Sequence, residues 1–108
     1  MRILLVEDEP TIRRLYSKKL ECDSWDHYRE YEEYDLYILD VGIKDSDKTI
    51  YYVISDIQKR TDAPIIIFSN FGRETIEEKL RGLKVHSILL KINYPPKELK
   101  EYINETFT

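Results

Sequence analysis

The chain has 108 residues, enough to bury one core and too few for two, so a single domain over 1–108 is expected. Its formal net charge is -4 at pH 7, with lysine and arginine scattered along the chain. That distribution argues against binding nucleic acid through phosphate neutralisation and points to protein partners.

No apolar run approaches the roughly 18 residues of a membrane span, and the amino terminus enters a strand without the segments of a secretory signal. A soluble, cytoplasmic protein without membrane contact is expected. Cys22 is the single cysteine, read as a passive thiol of a reducing compartment. Asn104-Glu105-Thr106 matches a glycosylation acceptor that such a location leaves unused.

Arg2-Ile3-Leu4-Leu5-Val6 reads as a buried strand running into Glu7-Asp8. Pro10 then has the φ preferred at a first helical position, and Ile12, Leu15, Tyr16 and Leu20 follow at helical spacing, predicting a helix from Pro10 to Leu20. Glu21 to Tyr34 holds no clear strand and is too short for an ordinary strand, helix and connections. A stunted unit is expected, with Tyr28, Tyr31 and Tyr34 on one short helix covering the sheet. Core filling is one role for these rings; a tyrosine platform for a partner is the other.

Leu36-Tyr37-Ile38-Leu39-Asp40 is a strand apolar on both faces that ends in a carboxylate. Val41 to Lys48 has loop composition, with Gly42 able to take unusual φ. A helix from Thr49 to Arg60 buries Ile50, Val53, Ile54 and Ile57, and Asp62-Ala63-Pro64 breaks it. The strand Ala63 to Phe68 runs into Ser69, and Gly72 turns into a helix carrying Ile76, Leu80 and Leu83, ended by Gly82. His86 to Leu90 is a strand running into Lys91, and Pro95-Pro96 starts a last helix with Leu99, Ile103 and Phe107 on one side.

Strands alternating with helices predict a doubly wound parallel α/β sheet in three αβα layers. Ligands of such sheets bind beyond the carboxyl ends of the strands, where Glu7, Asp8, Asp40, Ser69 and Lys91 would converge. A cluster of carboxylates calls for a hard cation such as Mg²⁺, which takes oxygen ligands and commonly a phosphate. Ser69 and Lys91 suit phosphoryl oxygens, and Asp40 is the candidate nucleophile for an aspartyl phosphate. Glycine-rich phosphate loops, metal-spaced histidine pairs and paired cysteines are absent from the sequence. His27 and His86 are given ordinary surface or packing roles.

The blocks RILLVEDEP (Arg2 to Pro10), DLYILD (Asp35 to Asp40), APIIIFS (Ala63 to Ser69) and Leu90-Lys91 resemble, in order, the signature blocks of the response regulator receiver domain of two-component signalling. The resemblance spans nearly the whole chain and implies a CheY-like (flavodoxin-like) fold with its second β/α unit shortened. It makes Asp40 the phosphoacceptor. Glu7 and Asp8 hold Mg²⁺ with Asp8 nearer the ion, and the Gly42 carbonyl adds a ligand. Ser69 becomes the switch hydroxyl and Lys91 the phosphoryl-binding cation.

The chain departs from the family pattern at several places. Ile92 stands where a cis proline is usual after the lysine, leaving either a trans bond or a cis bond costing about 3 kcal/mol. Asn70 replaces the small residue after the hydroxyl, a change expected to narrow access to Asp40. Ile88 replaces the switch aromatic, removing its hydroxyl. Lys44 and Lys48 stand where proline and glycine are usual.

Each residue also has a plain structural explanation. Glu7-Asp8-Glu9 can cap the first helix, Ser69 and Asp40 can start turns, and Lys91 can be a solvated strand end. Their coincidence at four strand tips is what these explanations leave out.

Two readings of function follow. In the first, a sensor histidine kinase or phosphotransfer protein donates to Asp40, which switches a partner or homodimer surface on the last two helices and last strand. The domain accepts phosphoryl groups and autodephosphorylates without being a dedicated enzyme. The alternative is a pseudo-receiver that docks proteins without phosphorylation. A small phosphohydrolase is disfavoured because the sequence offers no dedicated acid or base near Asp40.

Overall fold

The computed structural model describes residues 1–41 and 47–108. Five strands, β1 (Ile3–Val6), β2 (Asp23–Trp25), β3 (Leu36–Val41), β4 (Ile65–Ser69) and β5 (Ser87–Leu90), form one sheet in the order β2-β1-β3-β4-β5. Every pairing in it is parallel. The helices are α1 (Pro10–Leu20), α2 (Asp47–Gln58), α3 (Arg73–Leu80) and α4 (Pro96–Phe107). None of the described helices is long and apolar enough to cross a membrane.

The continuous apolar runs become strands because both faces of the sheet are covered. On one face Leu4, Tyr37, Leu39, Ile65 and Ile67 pack with Ile50, Ile54 and Ile57 of α2 and Ile76 and Leu80 of α3. On the other, Leu5, Leu36, Ile38, Ile66 and Phe68 pack with Tyr16 and Leu20 of α1 and Leu99 and Ile103 of α4. Neighbouring residues of β3 thus feed opposite cores, as the two-residue strand period requires. The expected three-layer, doubly wound α/β architecture is what the chain adopts.

Helix starts and ends follow local chemistry. Glu9 caps α1 by accepting hydrogen bonds from the backbone N–H of Thr11 (3.1 Å) and Ile12 (2.7 Å). Past α3, Arg81 takes the left-handed cap conformation (φ 51°) and Gly82 follows at φ 89°, so the helix closes just before Gly82 and Leu83 lies beyond it.

The second unit differs from expectation. Its strand exists: Asp23, Ser24 and Trp25 pair with Leu4, Leu5 and Val6 of β1. Its three residues are exposed or half-buried at the sheet edge, so they carry no apolar run to reveal them. The expected tyrosine helix does not form, and no helix lies between Trp25 and Leu36. The segment is instead an irregular strap tied down by phenol groups. Tyr28 donates to Asp56 Oδ2 (2.6 Å) and Tyr34 to Asp23 Oδ2 (2.9 Å). Tyr37, fully buried on β3, donates to the Glu32 carbonyl (2.6 Å) and accepts from Tyr34 N–H (3.1 Å).

Tyr28, Tyr31 and Tyr34 all pack on the α2/α3 core, so their core-filling role holds without the helix. Edge-on contacts of Tyr34 with Trp25 and Tyr37 reinforce that packing. Replacing Tyr37 by Phe leaves both strap groups unpaired. We expect Tyr37→Phe to cost about 1–3 kcal/mol, read as a lower urea midpoint at unchanged slope.

Candidate functional site

Register explains how the polar residues meet. Val6 lies opposite Leu39 and Asp40 opposite Phe68, so Glu7, just past β1, stands level with Asp40. β3 continues to Val41, which places Asp40 one residue inside the strand end. Tyr16 of α1 donates to the Tyr94 carbonyl (2.8 Å), tying α1 to the turn that follows Lys91.

Glu7, Asp8 and Asp40 each offer an oxygen within 4.8 Å of the others. Glu7 is 2% exposed, and both its oxygens are engaged. Lys91 Nζ donates to Oε1 (2.9 Å) and the Glu9 N–H to Oε2 (3.1 Å). Asp8 is exposed and Asp40 half-buried, so these two have the greater freedom to take an ion. The capping role divides cleanly: Glu9 takes the helix, while Glu7 and Asp8 face the cluster.

Lys91, with a side chain 12% exposed, also forms an ion pair with Asp40 Oδ1, and its ammonium lies 5.8 Å from the Phe68 ring centroid. Beyond that ammonium, the buried oxygen has no hydrogen-bond partner among the described residues. Burial pushes the Asp40 carboxyl up to about 7. Lys91 pulls against this shift, and Glu7 adds to it. Burial alone would lower the Lys91 ammonium, but its contacts with Asp40 and Glu7 outweigh that effect and hold it above the usual lysine range.

Three carboxylates gathered about one ammonium suit a hard divalent cation. Mg²⁺ fits this oxygen donor set, which Glu7, Asp8 and Asp40 would supply.

Ser69 is fully buried, and its hydroxyl accepts a hydrogen bond from Phe71 N–H (2.8 Å), so it lies at the strand tips engaged with its own turn. Asn70 is exposed beside it, and Ile88 is half-buried against the α2/α3 core. Lys91–Asn93 form a 3-10 turn, and there is no cis peptide among the described residues. The Lys91-Ile92 bond is therefore trans, with Ile92 80% exposed. Gly42 and Lys44 lie outside the described residues.

Sequence reasoning missed one part of this edge. A cavity of about 340 Å³ is lined by Asp8, Asp40, Asp26 and His27, with Val6, Leu39, Ile50 and Val53 among its apolar walls. Titratable groups other than the expected five therefore share the cavity with Asp40. His27 has no motif around it, and only the path of the strap brings it here.

The fold is that of receiver domains. Among solved structures it resembles the phosphorylated cyanobacterial phytochrome response regulator RcpA, with a TM-score of 0.66 and 20% identity over 95% of this chain and 91% of that one. The sequence matches no family model and no curated protein.

With its folded value raised to about 7 from an ordinary 3.8, Asp40 leaves the fold unpenalised below about pH 4. Stability is then lost as pH rises through 7 and the buried group ionises. We expect Asp40→Asn to raise the thermal midpoint at pH 8 in EDTA, with the gain shrinking towards pH 4. Mg²⁺ should raise the midpoint of the unaltered protein more than that of the variant, read by scanning calorimetry.

Proposed function

We propose that this chain is a phosphoacceptor receiver of two-component signalling, in which Asp40 accepts a phosphoryl group with Mg²⁺ held by Asp8, Asp40 and Glu7. The observation that carries this reading is the meeting of three carboxylates and Lys91 at the carboxyl edge of a parallel sheet. The likeness to a phosphorylated response regulator supports it through the fold.

Each group has a task in that chemistry. Asp40 supplies the attacking oxygen, and bound Mg²⁺ supplies charge to stabilise the phosphoryl oxygens. Lys91 neutralises charge on Asp40 before transfer and on the phosphoryl group after it. Ser69 leaves its bond with Phe71 N–H to meet the new oxygens, and this moves the turn after β4.

The donor is a sensor histidine kinase or phosphotransfer protein. The output is a partner or a second copy received on α3, β5 and α4. The setting is cytoplasmic, and the domain takes up and releases phosphoryl groups rather than turning over an external substrate.

A second reading, a pseudo-receiver that docks proteins without phosphorylation, draws on Asn70 beside Ser69 and on Ile88, which has no hydroxyl to switch. Incubation with Mg²⁺ and acetyl phosphate separates the two. The phosphoacceptor reading expects the intact mass to gain one phosphoryl group, lost in Asp40→Asn. An unchanged mass together with no Mg²⁺ binding selects the pseudo-receiver.

A further inference from the structure

The strap that stands in place of a second helix brings Asp26 and His27 to the cavity lined also by Asp8 and Asp40. His27 Nδ1 lies 2.8 Å from Asp26 Oδ1, and Arg29 stands 3.7 Å from the same oxygen. A carboxylate at Nδ1 holds the proton of the neutral imidazole there and leaves Nε2 as the acceptor. This is the arrangement of a base oriented by a neighbouring acid.

We propose that His27, positioned by Asp26, is the general base that hydrolyses the aspartyl phosphate formed on Asp40, so that the domain limits the lifetime of its own signal. The inference rests on the phosphoacceptor reading above. A water in the cavity gives one proton to His27 Nε2 as its oxygen attacks phosphorus. The bond between phosphorus and the Asp40 oxygen breaks, and its electron pair returns to Asp40 as a carboxylate, which Lys91 again pairs. Inorganic phosphate leaves with the water's oxygen and second proton, and the imidazolium passes its proton to solvent.

The cavity supplies what the step needs. At about 340 Å³ it has room for several waters. Among the described residues, the charged groups about His27 are Asp26 on its own strap, Arg29 through Asp26, and Asp8 and Asp40, which line the same cavity. Phosphorylation consumes the Asp40 carboxylate, so Asp40 no longer titrates in the species that hydrolyses. The His27 side chain is 73% exposed, so it exchanges protons with solvent and its replacement leaves the core intact.

The test phosphorylates the protein with Mg²⁺ and acetyl phosphate, removes the donor by desalting, and follows the decay of the phosphorylated mass. For the unaltered protein, decay should quicken as pH rises from mildly acid to mildly alkaline, as base catalysis requires. His27→Gln should decay roughly a hundredfold more slowly, at the low end of what general bases contribute, and with that rise removed. Asp26→Asn should slow decay less and shift the pH profile. A phosphorylated His27→Gln with unchanged lifetime and pH profile overturns this inference alone, while an unaltered protein that takes up no phosphoryl group overturns the phosphoacceptor reading with it.

Discussion

Parallel pairing obliges every strand of this sheet to end on the same edge, and the rest of the molecule is arranged by that constraint. A parallel strand needs a crossover to return, so each apolar run is followed by a helix that covers one face. Burial on both faces leaves the strand tips as the place where polar side chains can collect without interrupting the core. Glu7, Asp40, Ser69 and Lys91 occupy these tips or the first residues beyond them.

The ion pairs at that edge follow from the same constraint. Glu7 and Asp40 are held level by strand register, so two carboxylates stand close together at a largely buried point. Lys91 contacts both. Its position depends on the end of β5 and on the bond from Tyr16 to the Tyr94 carbonyl, so α1, β5 and the following turn all bear on the electrostatics of Asp40. A buried pair of this kind is weak evidence for stability, because desolvation offsets much of the attraction. It is better explained as a device for holding charge at one point.

Much of this was legible in the sequence because the informative signals are long or positional. Four apolar runs without alternation gave the strands, and the 3.6-residue spacing of Ile50, Val53, Ile54 and Ile57 gave α2. The residue following each run gave the candidate site. What escaped the reading was structure made by weak or nonlocal forces. β2 is three residues at an edge, and its pairing with β1 is a tertiary contact that no local pattern encodes. Tyr28, Tyr31 and Tyr34 suggested a helix by their spacing, whereas their hydroxyls and rings serve partners as distant in sequence as Asp56. The nearness of Asp26 and His27 to Asp40 depends wholly on that strap.

The shortened second unit links stability to access. An ordinary helix there would cover Val6 and Leu39 with aliphatic side chains. Here Trp25, Tyr28 and Tyr31 are partly buried against the same core, and a cavity reaching the acidic cluster remains beside them. Desolvation at the same edge raises Asp40, so burial favours its protonated form. A divalent ion at Asp8 and Asp40 would favour the ionised form. Cation binding and ionisation of Asp40 would then be one event, coupled by the burial of the carboxyl.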